Sequence, residues 1–487
     1  MSKNKLVIIL LLVVALIVRV YRLDQLLGFF YDQGRDGKVI WELMHHGKLF
    51  LIGPTTGVEG IFLGPFYYYF VAGAYWLGQS NPVWPAVWLA ITNVAGIGLI
   101  YLIGKQYFNR STGLLAATFA SLSFYLVLAQ RWLANPTPLP FFALIAVWSI
   151  LEVVHGRAKW WSWLSIGLAI GLGLQFEAAS ATFFLPATAL TLLIFRRQIN
   201  WHWRWVALGG AAFLATLLPQ VIFDFRHQHI LWQALQNFLV GEKSFRLEVS
   251  SRLSFFFEIF VNKFVPDLRI GKLFAVAVAI LSVINFKQLK SKAVSVLLIW
   301  WLTPVVGLLF YHGNNGYVWD YYFTGVYPAV VILVAWVLVT ATKRNWWSKV
   351  TVAILAGIFF FQNVPLMRNY LISGVDGPAT IALGNQLQAI DWIYQDYEER
   401  EFNVDVYVPP VIPHAYDYLL LWQGTNVHSQ LQQAEQVPLL YTLYEVDPPH
   451  PERLQAWLAR QAGIGQVETE ASFGGITVQR RHRIEKP

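Results

Sequence analysis

The chain has 487 residues, 56% of them hydrophobic, 16% aromatic and only 13% charged, with a mean hydropathy of +0.47. Soluble domains carry about 25% charged residues, so the composition excludes a disordered chain, a coiled coil and an ordinary cytosolic enzyme. The net charge of +8 is spread over short clusters between apolar runs, the pattern of cytoplasmic loops rather than of a nucleic-acid surface, and the absence of cysteine excludes disulfides, thiolate metal sites and a thiol nucleophile.

Lys3 and Lys5 precede the apolar run Leu6–Val18, as in a signal sequence, but Arg19-Val20-Tyr21-Arg22 follows where a small-residue cleavage site would stand. An uncleaved first span is therefore expected. Windows long enough to cross a bilayer, about 17–25 residues, predict about eleven transmembrane helices near 6–22, 84–104, 112–130, 138–151, 160–176, 178–195, 205–223, 273–286, 293–311, 321–342 and 350–367. The loops holding Lys105/Arg110, Arg157/Lys159, Arg196/Arg197/Arg204, Lys287/Lys290/Lys292 and Lys343/Arg344/Lys349 are basic; the alternate loops 24–60, 131–137, Glu177, 224–272 and 312–320 are not. The positive-inside rule then predicts a multi-pass protein of the cell membrane with a cytoplasmic N-terminus and the second set of loops outside.

Gly60–Gly104 is uncharged throughout and has room for two spans, yet an outer loop 24–60 and an inner Lys105 demand an odd number of crossings. The expected solution keeps 84–104 as the crossing and lets 61–78, with its Gly64-Pro65 start and Tyr67-Tyr68-Tyr69 run, re-enter or lie at the interface. Two true spans are the alternative, and a single cysteine at Ser80 is the labelling site that would separate them.

From about residue 370 charges return and prolines punctuate the chain. Ile381–Glu399 reads as an amphipathic helix; Val404–Val408, Leu440–Val446 and Ile476–Gln479 read as strands. The expectation is a membrane unit over 1–369, with a large first outer loop 24–83 and an outer loop 224–272, followed by a small extracytoplasmic α/β domain over 370–487. Tyr416-Asp417-Tyr418 and Asp447-Pro-Pro read as turn and strand-end chemistry.

The first outer loop carries Tyr31-Asp32-Gln33-Gly34-Arg35-Asp36-Gly37-Lys38, four charges in eight residues of a chain poor in charge. A short amphipathic helix over 39–44 follows, fit to lie on the membrane surface. Two carboxylates flanking an arginine suit group transfer: a carboxylate accepts a proton from an acceptor hydroxyl while the cation neutralises a phosphate. A solvated charged loop is the competing reading. Asp224-Phe-Arg226-His227 opens the mixed-charge loop 224–272, which reads either as an amphipathic surface helix or as a lid. Asn315-Gly-Tyr317-Val-Trp319-Asp320-Tyr321-Tyr322 reads as an aromatic belt, with stacking on a sugar as the alternative.

Asp32 and Arg35 after the first span, Gly47-Lys48-Leu49, Ile52-Gly53-Pro54 and Gly64-Pro65-Phe66-Tyr67-Tyr68-Tyr69 resemble the GT-C superfamily. So do Arg131-Trp-Leu-Ala-Asn135-Pro136, Gln175-Phe176-Glu177 and Leu218-Pro219-Gln220 with Asp224. The nearest resemblance is to bacterial and archaeal protein-mannosyltransferases and aminoarabinose transferases, which take a sugar from a polyprenyl-phosphate carrier at the outer membrane face. It covers most of the first 230 residues.

By that resemblance Asp32 stands where the family has its acidic residue proposed as base, and Arg35 where some members have an arginine. A second carboxylate often follows the first; here Gln33 stands there, and Asp36 is the candidate to fill its role. Asn135 replaces a frequent Asp, and Glu177 a frequent His. Arg131 is the first candidate for a second phosphate cation, followed by Arg226, Lys38, His227 and His312. The resemblance implies an inverting glycosyltransferase moving a monosaccharide from a polyprenyl-phosphate donor to a hydroxyl of a protein, lipid or glycan acceptor. Its partners are membrane lipids and that donor, with no nucleic acid. No cofactor is expected to be required and no metal site is read, although Asp32 and Asp36 could share a divalent ion. A transporter or lipid-carrier flippase, and a membrane-anchored scaffold, are the alternatives of other classes.

Overall fold

The computed structural model describes residues 3–240, 248–285, 291–409 and 412–484. Helix α1 (Lys3–Val20) is followed by a short turn of helix, α2 (Leu23–Leu26), and by α3 (Tyr31–His46). A small hairpin closed by the bridge between Thr55 and Phe62 leads into α4 (Phe66–Leu77) and the long α5 (Val83–Tyr107). Then come α6 (Arg110–Leu122), α7 (Phe124–Gln130), α8 (Leu139–Val154), α9 (Trp160–Phe176), α10 (Ala178–Ala181), α11 (Phe184–Ile194) and α12 (Trp203–Arg226). Helices α13 (Ile230–Val240), α14 (Val249–Val261), α15 (Leu268–Ile284), α16 (Lys292–Leu309), α17 (Tyr327–Ala341) and α18 (Trp346–Ile372) complete the apolar part.

Each apolar window read from the sequence thus contains helix, with three corrections. The window 112–130 is two helices bent by 66°, because Ser123 leaves the helical backbone and caps α7. The window 178–195 is broken between α10 and α11, and 321–342 begins with a 3-10 turn, Asp320–Phe323, before α17. Among the described residues four helices (α5, α12, α16, α18) are long and apolar enough to cross a bilayer by length and composition, or five with the bent pair; α1 matches α16 in length but carries Lys3, Lys5 and Arg19, and the other apolar helices are shorter, so eleven crossings are not established. Loops Lys287 and Lys290 lie outside the described residues.

The basic loops gather at one end. Lys292 Nζ donates to the Val154 carbonyl, Arg344 to the Ile284 carbonyl, and Arg157 pairs with Glu152, which also accepts from Gln106 at the foot of α5. The C-terminal unit sits at the other end of α5. Its helices are α19 (Leu383–Asp396), α20 (His414–Asn426) and α21 (Pro451–Ala462), and its strands β1 (Phe402–Tyr407), β2 (Leu439–Glu445), β3 (Gly465–Phe473) and β4 (Ile476–Arg483). The sheet order is β1-β2-β4-β3; β1 and β2 are parallel, with Phe402 opposite Leu439, so the chain needs a crossover, and α20 lies in it. Phe402, Tyr441, Leu443, Ile476 and Val478 are buried with Ile390 and Ile393 of α19.

Helix α20 corrects the reading of Tyr416-Asp417-Tyr418 as a turn. Tyr416, Tyr418, Leu419, Leu420 and Trp422 are all buried, because α20 is covered on one side by its own unit and on another by α3. A helix buried on several sides shows no amphipathic period. The charged segment Asp32–Lys38 is likewise no loop: it is the first half of α3, a single helix that continues through 39–44. Two glycines hid it. A Cβ at Gly34 would overlap the backbone of His414, and one at Gly37 would stand 2.9 Å from the Tyr418 ring. Both residues are glycine because α20 lies directly on them.

Helix α4 has 12 residues, about 18 Å of rise against a hydrocarbon core of about 30 Å. It starts against α3, where Tyr68 reaches Asp36, and is followed by Gln79, whose carbonyl accepts from Trp422 and Asn426 of α20. Both ends lie at the face of the C-terminal unit, the arrangement expected of a segment that re-enters rather than crosses. Ser80, the labelling site suggested by the sequence, is only 1% exposed and accepts from Tyr418. Gln79 is exposed instead. In the cysteine-free chain, Gln79→Cys and Glu452→Cys should react with an impermeant maleimide from the same side of the membrane and Lys159→Cys from the other. Reaction of Gln79→Cys from the side of Lys159→Cys would mean that α4 crosses. Gly34→Ala should loosen the α3–α20 contact by roughly 1–3 kcal/mol, the usual cost of overpacking, seen as a lower melting temperature and faster proteolysis of the C-terminal unit.

Candidate functional site

A cavity of about 410 Å³ opens beside the first turn of α3, on the face of the membrane unit that carries the C-terminal unit. Its walls come from α3, the 53–63 hairpin, the 131–137 turn, the α9–α10 junction, α13 and the 311–322 segment. Asp32 and Arg35 line it from α3, Asn135 and Glu177 from the short turns, and Tyr311, Tyr321 and Tyr322 from the 311–322 segment.

Arg35 is the best-anchored charge in this cavity. Its Nη1 lies 3.0 Å from Asp32 Oδ1 and 3.1 Å from Thr55 Oγ1. Its Nε and Nη2 both donate to Asp36 Oδ1, at 2.9 and 2.8 Å. Burial alone would lower the guanidinium pKa, but Asp36 and Asp32 outweigh it and the net shift is upward. The charge is permanent, and three side chains fix its direction. Asp32 is more than half exposed, so its carboxylate has room to meet a ligand.

Asp36 is not a second carboxylate of the cavity. It is 5% exposed, spends Oδ1 on Arg35, and takes a further hydrogen bond from Tyr68 at 3.2 Å. Burial pushes its pKa up to about 6, against the opposing pull of Arg35. The residue stands behind Arg35 and orients it. Gln33, which replaces the expected second acid, is buried; it accepts from Phe30 N at 2.9 Å and donates to the Leu133 carbonyl at 3.0 Å. It ties the start of α3 to the turn that presents Asn135.

Glu177 lines the cavity and is 4% exposed. It caps α10, accepting from Ala179 N at 2.6 Å and from Ser180 N and Oγ at 2.9 and 2.8 Å. Burial raises its pKa to about 7 in spite of these bonds. Asn135 donates to the Phe176 carbonyl at 2.5 Å, which joins the two turns.

Five of the cations read from the sequence, Arg131, Lys38, Arg226, His227 and His312, lie outside the lining of the cavity. Arg131 is buried and donates to the carbonyls of Val18, Arg19 and Tyr21, each at 3.0 Å; it fastens the end of α1 and does not line the cavity. Lys38 pairs with Asp417 of α20 at 3.0 Å, a tie between the two units. Arg226 ends α12 on the exposed surface, and His227 stacks on Phe223. Neither lines the cavity. Asp224 instead caps α13 through Leu231 N and Trp232 N, so 224–229 is the joint that sets α13, whose Leu235 and Phe238 close one wall. Glu242, Lys243 and Arg246 lie outside the described residues. Among the described residues no group of three His, Asp or Glu side chains could hold a metal ion.

Sequence reasoning missed Tyr68 and Thr55 as partners of the charged cluster, and the buried Lys263, which pairs with Asp320 at 2.6 Å. The tyrosine run pointed to an interface, and nothing in its pattern says that one ring turns inward to Asp36.

The family described as dolichyl-phosphate-mannose-protein mannosyltransferase matches residues 63–223. The undecaprenyl phosphate-alpha-4-amino-4-deoxy-L-arabinose arabinosyl transferase of Pseudomonas aeruginosa is 28% identical over 191 residues, 35% of this chain and 35% of that one. A corresponding transferase of Pseudomonas fluorescens is 23% identical over 222 residues, 41% and 37% of the two chains. The matched segment therefore spans little more than a third of these relatives. The fold is shared over the whole length: ArnT from Cupriavidus metallidurans superposes with a TM-score of 0.63 at 13% identity, covering 98% of this chain and 97% of ArnT. The same enzyme bound to undecaprenyl phosphate gives 0.60 at 14% identity, with the same coverage. The archaeal oligosaccharyltransferase AglB from Archaeoglobus fulgidus gives 0.53 at 12% identity, covering 100% of this chain and 75% of AglB. The chain thus shares the GT-C fold of ArnT and AglB over nearly its whole length, and its likeness to the mannosyltransferase family in sequence covers 63–223, with the motifs at 32–54 outside that match.

Proposed function

We propose that the chain transfers a monosaccharide from a polyprenyl-phosphate carrier to an acceptor hydroxyl, in the cavity beside α3 and with inversion at the anomeric carbon. The observation that carries this reading is the pairing of a half-exposed carboxylate, Asp32, with a fixed permanent cation, Arg35, on one turn of helix facing one cavity. Support comes from the related ArnT fold, whose C. metallidurans member binds undecaprenyl phosphate. The positive-inside rule sets the basic end of the bundle in the cytoplasm, which puts the cavity and the C-terminal unit on the outer face.

A sugar joined to a lipid phosphate has a good leaving group, so the step calls for a base and a cation rather than an acid. The Asp32 carboxylate takes the proton of the acceptor hydroxyl as that oxygen bonds to the anomeric carbon. The bond from that carbon to the phosphate oxygen breaks, and its electron pair leaves on the phosphate, which Arg35 neutralises. Such charge stabilisation is strongest in a site partly shielded from water. Asp36 and Tyr68 keep the guanidinium aimed, and Glu177 and Asn135 are placed to meet sugar hydroxyls.

Purified protein in lipid should consume at least one member of a panel of labelled polyprenyl-phosphate monosaccharides. Asp32→Asn should lower the rate ~10²–10⁴-fold, the usual contribution of a positioned base, with donor binding retained; an unchanged rate would move the base elsewhere. Asp36 adds a pH dependence. Its pKa in the folded chain is raised to about 6, so its charged form opposes folding, and its contribution to stability declines as pH rises through the window from 4 to 6. Its charge is nonetheless what anchors Arg35. Turnover should therefore fall as pH drops through about 6, and Asp36→Asn should be slower at neutral pH and lack that acid limb. An acid limb near 6 that persists in Asp36→Asn would assign it to another group.

A further inference from the structure

From the 311–322 segment, which lines the same cavity as Asp32, we infer that the acceptor is a saccharide chain, held along a row of three aromatic rings, Tyr317, Trp319 and Tyr321. This inference rests on the transfer reaction proposed above and adds the chemical class of its acceptor.

The three residues alternate along the chain, with the partly buried Val318 packed against the hydrophobic core. Tyr317 and Trp319 have ring centroids 6.3 Å apart with planes 25° from parallel. Trp319 and Tyr321 are 6.4 Å apart and within 12° of parallel. Tyr321 lines the cavity and meets Trp132 edge-on, whereas Trp319 is 50% and Tyr317 68% exposed. The row therefore starts at the cavity wall and runs outward to the exposed surface.

Both ends are pinned. Arg252 donates to the carbonyl of Gly316 at 2.5 Å and to those of Leu308 and Leu309. The buried Lys263 holds Asp320, whose carboxylate also accepts from Tyr327. Aromatic side chains that only anchor a protein at the membrane interface need no common ring orientation and no clamp on either side. Rings held parallel, each with a polar edge, suit the apolar C–H face and peripheral hydroxyls of successive sugar rings.

The donor brings one monosaccharide attached to its phosphate, and that sugar belongs beside Arg35. A row leading away from it exceeds one sugar, so it fits the acceptor. Pockets of this kind join apolar faces to a few placed polar groups, and here the polar groups at the inner end are Asp32, Asn135 and Glu177.

The test is saturation-transfer NMR on the full chain in nanodiscs, with linear hexasaccharides (cello-, malto- and mannohexaose) and their monosaccharides as probes and no donor present. At least one hexasaccharide should receive saturation and its monosaccharide at least fivefold less. The signal should be lost in Tyr317→Ala/Trp319→Ala and kept in Tyr317→Phe/Trp319→Phe. It should also be kept in Trp346→Ala/Trp347→Ala, which removes two rings still more exposed than Tyr317 and Trp319 at the basic end. Absence of binding by all three hexasaccharides, binding that survives the 317/319 alanine pair, or loss in the 346/347 control would each overturn the inference. Because the readout needs no turnover, saccharide binding by a chain that consumes no donor would keep the aromatic row and remove the transfer reaction.

Discussion

The arrangement of the site depends on one close approach, that of α3 to α20. Gly34 and Gly37 bring the backbone of α3 onto the start of α20 and onto the Tyr418 ring. Lys38 to Asp417, Gln386 to the Phe29 carbonyl and Leu383 N to the Leu27 carbonyl fasten the same seam. The first turn of α3 is consequently fixed by the C-terminal unit at its back while Asp32 and Arg35 face the cavity. The last hundred residues of the chain are part of what aims the first charged helix, and a long sequence separation is closed by direct backbone contact.

Buried charge in this protein serves mainly as a fastener. Arg19 is fully buried and donates to the carbonyls of Ala15, Ala120 and Ser121, joining α1 to the end of α6. Arg131 holds the carbonyls at the end of α1, and Lys263 holds the aromatic wall through Asp320. Such groups are costly to desolvate and are tolerated only with their donors satisfied, as here. Arg35 differs: it lies at the cavity wall with anionic partners on two sides and one edge toward the open space. That distinction, between a cation consumed by carbonyls and one aimed by carboxylates, separates the candidate phosphate contact from the rest.

Much of this was legible in the sequence. The apolar windows mark the helices, the parity of the basic loops sets 61–78 apart from the other windows, and charge density marks Asp32–Lys38. The helical state of that segment was hidden because glycines at 34 and 37 read as loop residues, and their reason lies in α20, far along the chain. Helix α20 was hidden in turn because it is buried on several sides and has lost its period. Arg131 drew attention as a cation at a span end; only its distance from the carbonyls of α1 tells a clamp from a phosphate ligand. Asp36 was legible as a carboxylate, but its burial behind Arg35 depends on Tyr68 coming from another helix.

The most direct measurement of the central claim is a structure of the full chain with polyprenyl phosphate bound. The account predicts the phosphate in the cavity within hydrogen-bonding reach of Arg35, with Asp36 unmoved behind it and Asp32 beside the open space. A phosphate held instead by Arg131 or Arg226, with the cavity beside α3 empty, would contradict it.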